Sequence, residues 1–368
     1  MPRFPSPPLL ALALALATVL PACALAQSSD RANERSTERS IERMAESIAA
    51  AAERMAARVE KHATIMADRI EREFDRKRKS GAYDHWDDDN IQQGRTRIDT
   101  TFAFADDGTI DLSSISGDIV VTGWSRREAQ IKATSERGRL ELDVSSSRVT
   151  LEEHGRGSVW GSRRGPDTRY EVSVPRGVRV IARSTSGDVS VRGTGGAVEG
   201  NSTSGDVLVE DASRRVELSS VSGDVSARKV RGTVDASSVS GTIELDDVEG
   251  ELHVNTTSGD IQLGDVVSRD IEASTTSGDI TFSGNISGDG RYEFNSHSGN
   301  IELAIPASAN ARFSVETYSG ELDSDFPITL QPGDRSSRRP RRFEFTVGNG
   351  GPRIVAETFS GDLQIRKR

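Results

Sequence analysis

The sequence VELSSVSGDVSARK, residues 216–229, contains a Ser-Gly-Asp motif that recurs with small variations ten times along the chain. The motif glycines are Gly117, Gly187, Gly205, Gly223, Gly241, Gly259, Gly278, Gly299, Gly320 and Gly361. Their spacing is 18 residues from Gly187 to Gly259, then 19, 21 and 21, and the last gap of 41 is about two periods. A short period sustained over this length is typical of stacked structural repeats.

Alignment on the glycine shows that polar and apolar residues alternate on both sides of it. The residue seven before the glycine is always apolar, the residue three before it is always Ser or Thr, and the residue two after it is always Ile, Val or Leu. Residues in between, such as Glu244 and Gln262, are mostly polar. This alternation predicts strands with one face on a core. The Gly-Asp pair interrupts it, which predicts a corner where glycine takes a backbone angle that other residues resist.

We therefore predict an all-β fold, a parallel β-solenoid (β-helix) of about ten short coils in which each coil pairs with the next one in sequence. The general crossover preference favours right-handed winding. Stacking superimposes equivalent residues, so the Ser/Thr positions would form a ladder of hydroxyls bonded to one another or to the backbone. The composition, 34% hydrophobic and 5% aromatic, suits a solenoid better than a large globular core.

The start of the chain reads as an export signal. Residues 1–26 are predicted to be a secretory signal peptide, with an apolar run followed by the small-residue cleavage site Ala24-Leu25-Ala26. The alternative is a lipoprotein signal in which Cys23 is lipidated. Cys23 is the sole cysteine, so ordinary cleavage leaves a mature chain without thiols or disulfides.

Residues 27–80 are predicted to form a charged amphipathic helix, followed by an acidic linker over 81–95. Within 30–79 the apolar residues have a four-three spacing, and rows of Arg and Glu pair three residues apart. The helix would be a coiled-coil stalk for self-association or an envelope-docking segment, or else a solvated helix. The run Asp84–Asp89 would chelate a cation or be merely solvated.

The β region, 96–368, is predicted to have two parts. Residues 96–183 form an N-terminal capping part with strand-like runs at 128–134, 139–144, 147–153 and 169–174, and 184–368 form the regular β-solenoid with a C-terminal cap. Seven late aromatics are expected to make a heavier core for that cap: Tyr292, Phe294, Phe313, Tyr318, Phe343, Phe345 and Phe359. The segment 331–342 is a polar loop with five arginines, which would bind an anionic polymer or be solvated.

We predict no catalytic, cofactor-binding or metal-ligating residues. The five histidines lack metal-ligand spacing, and the sequence has no nucleophile elbow, phosphate loop or zinc signature. The column after the glycine is largely acidic: Asp118, Asp188, Asp206, Asp224, Asp260, Asp279 and Asp362, with Thr242, Asn300 and Glu321 in the other places. Either calcium lies between coils, or each carboxylate accepts N–H bonds at its own corner.

Charge argues against nucleic acid as a partner. The chain has 57 acidic and 47 basic side chains, a net charge of −10. The first 95 residues are balanced, with 15 of each sign, so the whole acidic excess falls on the β region.

The repeats and two further stretches resemble a known family. These stretches are Tyr170–Val178 (YEVSVPRGV) and Gly348–Asp362, the latter running from GNGGPRI to TFSGD. Over about residues 100–368 the chain resembles the bacterial β-strand-repeat domain of unknown function that is labelled "putative adhesin". The resemblance implies an exported, non-enzymatic envelope or surface protein. It supplies no ligand and no catalytic residue.

The sequence-based hypothesis is thus a periplasmic or surface-exposed, adhesin-like β-solenoid that acts as a structural or binding scaffold for an envelope or surface polymer or protein. One alternative is a carbohydrate-active enzyme, because parallel β-helices host polysaccharide lyases and hydrolases. Another is a component of an envelope-stress sensor with the helix as transmitter.

Overall fold

The computed structural model describes residues 96–136, 138–154, 168–327 and 341–368. The predicted signal peptide (1–26), helix (27–80) and acidic linker (81–95) lie outside the described residues. All regular structure in the described ranges is β-strand, which confirms the all-β prediction. None of the residues that the structure describes forms a helix long and apolar enough to cross a membrane.

The strands are numbered along the chain. The first eight are β1 (Thr96–Ala103), β2 (Thr109–Trp124), β3 (Glu128–Ser135), β4 (Arg139–Val144), β5 (Arg148–His154), β6 (Thr168–Pro175), β7 (Arg179–Ser186) and β8 (Val189–Arg192). The next eight are β9 (Val198–Ser202), β10 (Val207–Ala212), β11 (Val216–Ser220), β12 (Val225–Arg231), β13 (Val234–Ser240), β14 (Ile243–Glu249), β15 (Leu252–Ser258) and β16 (Ile261–Ser277). The last seven are β17 (Ile280–Ser298), β18 (Ile301–Ile305), β19 (Ala311–Ser319), β20 (Leu322–Ser324), β21 (Arg341–Val347), β22 (Arg353–Ser360) and β23 (Leu363–Lys367).

Each central coil contributes one strand before the motif glycine and one after it. Before the glycine, β7, β9, β11, β13, β15 and the second half of β16 pair in parallel in this order. After it, β8, β10, β12, β14 and the first half of β16 do the same. Equivalent residues are superimposed, so that Val216 lies between Val198 and Val234. This is the predicted parallel solenoid.

The Ser or Thr three residues before each glycine forms a hydroxyl ladder with the backbone as its acceptor. Ser220 is buried, and its Oγ donates to the carbonyl oxygen of Gly205 in the preceding coil at 3.0 Å. The same bond joins Ser184 to Gly117, Ser202 to Gly187, Ser238 to Gly223, Thr256 to Gly241, Thr275 to Gly259, Ser296 to Gly278, Thr317 to Gly361 and Thr358 to Gly299. It ties each coil to its neighbour and satisfies a hydroxyl that faces the core.

Close packing between coils, more than backbone angle, requires the motif glycines. A Cβ on Gly223 would lie 2.2 Å from the carbonyl oxygen of Gly205, far inside contact distance, and the other motif glycines approach a backbone carbonyl equally closely. Of the ten, only Gly117, Gly278 and Gly299 have a positive φ. The expectation that an unusual backbone angle demands glycine is therefore wrong for the other seven.

A second corner follows the strand after the glycine and does have left-handed backbone. Its residues lie six positions after the motif glycine, with φ between 47° and 69°: Gly193, Asp211, Lys229, Asp247 and Asp265. Four of these five positions carry a side chain in a conformation that L-residues resist. The sequence pattern does not mark this corner, because the residue there is glycine only once.

The last coil in sequence is inserted into the stack instead of extending it. Ile354 of β22 pairs with Tyr292 of β17 on one side and with Phe313 of β19 on the other. β23 likewise lies between β18 and β20. The prediction that every coil pairs with the next in sequence is therefore wrong at this end. β21 pairs antiparallel with the outer side of β19, so antiparallel pairing ends the row of parallel strands.

The N-terminal end departs from sequence order in a similar way. β2 passes through the corner at Gly117 and pairs with β7 and β8 on one side and with β5 and β6 on the other. β4 then pairs antiparallel with β5, β3 with β6, and β1 with β3. The four strand-like runs predicted between residues 128 and 174 are strands β3 to β6.

Candidate functional site

The acidic column after the motif glycines serves the stacking of the coils. Oδ1 of Asp206 accepts a hydrogen bond from the backbone N–H of Asp224 in the next coil at 2.9 Å. Equivalent bonds are made by Asp118, Asp188, Asp224, Asp260, Asp279 and Asp362. The alternative to calcium predicted from the sequence is that each carboxylate accepts an N–H at its own corner. The structure corrects this, because each carboxylate accepts an N–H from the neighbouring coil.

Asn300 shows what this column requires. Its amide oxygen accepts the N–H of Asp362 at 2.9 Å, in the geometry that the carboxylates use. The position therefore requires a side chain of the length of Asp or Asn with an oxygen that accepts a hydrogen bond. It does not require a negative charge. Within the described ranges, no three His, Cys, Asp or Glu side chains are grouped so that they could hold a metal ion.

Three rings stack on the outside of the strands that precede the glycine. Two residues before it, the other coils carry aliphatic side chains or threonine: Ile115, Thr185, Thr203, Val221, Val239, Thr257 and Thr276. The last three coils carry His297, Phe359 and Tyr318, hereafter the ring stack. The centroids of Phe359 and His297 are 5.0 Å apart, those of Phe359 and Tyr318 are 4.7 Å apart, and both pairs of planes are within 10° of parallel.

Two carboxylates lie beside the ring stack on adjacent strands. Glu357 of β22 and Glu316 of β19 are register partners, two residues before Phe359 and Tyr318. Arg342 of β21 binds Oε2 of the buried Glu316 through Nε at 3.0 Å and Nη2 at 2.9 Å. Glu357 makes no hydrogen bond or ion pair with the residues that the structure describes. Its burial, and then the neighbouring charge of Glu316, raise its pKa above the ordinary value.

Arginines line the far side of the same surface. Arg291, Arg353 and Arg312 lie eight residues before their glycines on β17, β22 and β19, and all three are exposed. Arg291 pairs with Glu293 at 2.8 Å, and Arg312 donates to the carbonyl oxygen of Gly351 at 3.1 Å. We call this surface the terminal face. It comprises the ring stack, Arg291, Arg312, Arg342, Arg353, Glu293, Glu316, Glu344, Glu357 and Asn295.

Glu153 is a buried acid at the other end of the stack, and its surroundings assign it a structural role. Its Oε2 accepts hydrogen bonds from the Ser114 hydroxyl at 3.0 Å and the Ile115 N–H at 2.9 Å. Its Oε1 accepts from the Thr168 hydroxyl at 2.5 Å. Ser114 belongs to the hydroxyl ladder, so this carboxylate replaces the glycine carbonyl where the ladder ends. Burial and the charge of Glu153 raise the pKa of nearby Tyr170.

Comparison with known families agrees with this repeat architecture. A family model described as Toastrack DUF4097 matches residues 149–366, more than half of the chain. The chain belongs to the Toastrack DUF4097 family. This membership confirms the resemblance inferred from the repeats, and the family is a β-solenoid.

Three solved structures are similar to this Toastrack chain at low identity. A "putative adhesin" from Bacteroides fragilis is 13% identical, with a TM-score of 0.38, over 75% of this chain and 100% of that one. A "putative lipid binding protein" from Parabacteroides distasonis is 13% identical, with a TM-score of 0.33, over 74% and 97%. A "putative cell adhesion protein" from Clostridium sporogenes is 10% identical, with a TM-score of 0.21, over 74% and 100%. No curated protein matches the chain.

The late aromatics divide differently from the prediction that all seven build the core of a cap. Five contribute to the interior or pack against it: Tyr292, Phe294, Phe313, Phe343 and Phe345. Tyr318 and Phe359 instead face outward with His297. A signal for the ring stack was present, because all three residues lie two positions before a motif glycine. The order in which the three rings stack was not predictable, since it depends on the insertion of β22.

Proposed function

We propose that this Toastrack protein is an exported, non-enzymatic scaffold of the cell envelope or surface that binds a surface polymer or protein through the terminal face. The ring stack carries the proposal. It places three aromatic rings at the outward position where the other coils have Thr, Val or Ile. Outward aromatic rings beside charged groups are a common composition of binding surfaces.

The construction of the coils supports a scaffold role. The hydroxyl ladder and the acidic column add side-chain bonds to the parallel backbone pairing at almost every step between coils, from Ser184–Gly117 to Thr317–Gly361. Such cross-links hold outward side chains in a fixed arrangement, which reduces the entropy lost on binding. The predicted signal peptide supports export, and the absence of recognisable catalytic motifs supports a non-enzymatic role.

A carbohydrate-active enzyme is the second candidate, and the Glu316–Glu357 pair favours it. Glycoside hydrolysis uses two carboxylates, one of them an acid with a raised pKa. The scaffold is preferred because Arg342 holds Glu316 in a bidentate contact. A cavity among the described residues lies away from this pair, lined by residues such as Asp106, Gly177 and Arg179. Release of reducing ends from a polysaccharide, abolished by Glu357→Gln, would reverse this ranking.

Binding to isolated envelopes tests the scaffold. The purified mature protein is expected to sediment with envelopes of the source bacterium in a saturable manner, and cell fractionation should place it outside the cytoplasm. Substitution within the ring stack, such as Phe359→Thr, should reduce sedimentation, whereas Val239→Thr, in the same outward column of a distant coil, should not. A protein that stays in the supernatant, or in the cytoplasmic fraction, would refute the proposal.

A further inference from the structure

We propose that the terminal face binds an uncharged, hydroxyl-rich glycan chain, which runs along β22, crosses the ring stack at Phe359 and hydrogen-bonds to Glu357 and Arg353. This inference rests on the proposed scaffold function and specifies its ligand class. It combines three observations: the charge balance of the face, the unpaired polar groups on β22, and the apolar ridge that crosses this strand.

Charge balance distinguishes the ligand class. The face contains four arginines and four glutamates, in a chain whose net charge is −10. Arginines and glutamates form ion pairs with one another within the face, as in Arg291–Glu293 and Arg342–Glu316. A polyanion or a basic peptide would find a surplus of neither sign. An uncharged partner needs no surplus of either sign and meets no like-charge repulsion on such a surface.

The unpaired groups require a partner that both donates and accepts hydrogen bonds. Among the described residues, the Glu357 carboxyl has no hydrogen-bond partner and the Arg353 guanidinium has no ion pair, although both lie on β22. A hydroxyl donates to a carboxylate and accepts from a guanidinium. Glu357 and Arg353 lie four residues apart on β22, about 13 Å between Cα atoms, so hydroxyls of successive sugars in one chain can satisfy both groups. Asn295 offers an amide on the adjacent strand, beside Glu293, with which it already bonds at 3.3 Å.

The ring stack provides the apolar part of the site. The faces of Phe359 are covered by His297 and Tyr318, so the three rings present their edges outward as a ridge that runs from coil to coil. The C–H surfaces of pyranose rings are apolar, and burial of apolar area against aromatic groups is favourable. A linear glycan that follows β22 would therefore cross the ridge at Phe359 with its C–H surface and contact Glu357 and Arg353 with its hydroxyls.

Native gel electrophoresis with polysaccharide in the matrix tests this proposal. The probes are soluble dextran, mixed-linkage β-glucan, galactomannan and hydroxyethylcellulose, with dextran sulfate and chitosan as charged comparisons. The full-length mature protein should be retarded by at least one neutral polymer, with little dependence on salt. Tyr318→Thr and Phe359→Thr should each weaken the interaction about tenfold, the effect of roughly 1.4 kcal/mol of lost contact energy.

Two further variants make the test specific. Threonine occupies this outward column in four other coils, so the folding risk is small, and Val239→Thr is the matched control that should leave retardation unchanged. Glu357→Gln keeps a hydrogen-bonding group and should retain binding to a neutral glycan, whereas a cationic ligand would lose it.

Three outcomes would overturn the glycan assignment. These are retardation by no neutral polymer, retardation only by a charged polymer, and equal loss of retardation in the Val239 control. Envelope sedimentation, measured with the same variants, separates this inference from the scaffold proposal. If sedimentation still depends on the ring stack while every neutral polymer fails, the glycan class is wrong and the scaffold function stands.

Discussion

The Ser220 hydroxyl donates a hydrogen bond to the carbonyl oxygen of Gly205, and a Cβ on Gly223 would lie 2.2 Å from that same oxygen. One backbone oxygen thus sets two requirements on the next coil: a hydroxyl at one position and no side chain three residues later. This explains why Ser/Thr and Gly recur together at a fixed separation in every repeat, as the sequence shows without revealing the cause.

Gly223→Ala should lower the free energy of unfolding by about 3 kcal/mol, because the methyl group would clash with backbone that cannot move without opening the stack. Urea denaturation measures the change. Gly288→Ala is the control, since nothing lies within 4 Å of the Cβ that it adds. The control should stay within about 0.5 kcal/mol of wild type. Equal effects of the two substitutions would contradict the close-packing explanation.

Ser220→Ala should lower the free energy of unfolding by about 1 kcal/mol, the typical net value of a buried hydrogen bond. The loss arises because the carbonyl of Gly205 loses its side-chain donor while the site stays buried. Ser222→Ala, at the exposed serine next to the motif glycine, should change stability by less than about 0.5 kcal/mol. Thermal melting of both variants shows whether stability depends on the buried hydroxyl of the ladder or equally on any serine of the repeat.

Gly288 also shows how far the repeat could be read from sequence. Ser287-Gly288-Asp289 has the same three letters as the motif, but Thr281 and Gly290 occupy the flanking positions that are apolar in true repeats. This glycine is exposed, and nothing lies within 4 Å of a Cβ built on it. The corner is therefore specified by the triplet together with the alternation around it, and the alternation made the solenoid predictable.

The order of the coils could not be read in the same way. The 41-residue gap before Gly361 fits two periods, and nothing in the residues of β22 shows that they fit between β17 and β19. Since every coil uses the same register, any pair of coils is locally compatible, and the alternation alone leaves their order open. The ring stack forms only when Phe359 lies between His297 and Tyr318. It was not predicted, because it depends on the order of the coils.

Asp206→Asn should leave stability nearly unchanged, whereas Asp206→Ala should cost about 1 kcal/mol. Both replacements remove the charge, but only Asn keeps an oxygen that can accept the N–H of Asp224, as Asn300 does in its own coil. Differential scanning calorimetry with calcium and with chelator completes the experiment. Equal destabilisation by both variants, or a calcium-dependent melting temperature, would show that the negative charge itself matters.

Lys229→Gly should raise the free energy of unfolding by about 0.5 kcal/mol. Lys229 has φ of 54°, and relief of left-handed strain outweighs the added flexibility of glycine in the unfolded chain. The neighbouring strand position provides the opposite control: Arg228→Gly should destabilise by about 1 kcal/mol, because that residue has ordinary strand pairing with Asp246. Destabilisation by both substitutions would contradict the strain argument.

Glu357→Gln should make the protein more stable at neutral pH and should remove part of its pH dependence. The folded-state pKa of Glu357 is raised, first by burial and then by Glu316, so folding disfavours the ionised carboxylate. Below the ordinary glutamate pKa the group is protonated in both states and costs nothing. As pH rises from there through the raised pKa, the folded state of the wild type loses stability that the glutamine variant keeps.

The difference between the two proteins should therefore be largest near neutral pH and should vanish in acid, below about pH 4. Urea denaturation at a series of pH values measures it. Glu302→Gln, at an exposed glutamate on β18, should leave neutral-pH stability within about 0.5 kcal/mol of wild type. A Glu357→Gln variant that is less stable than wild type at neutral pH would contradict this prediction. It would mean that a cationic partner stabilises the ionised carboxylate in the folded state.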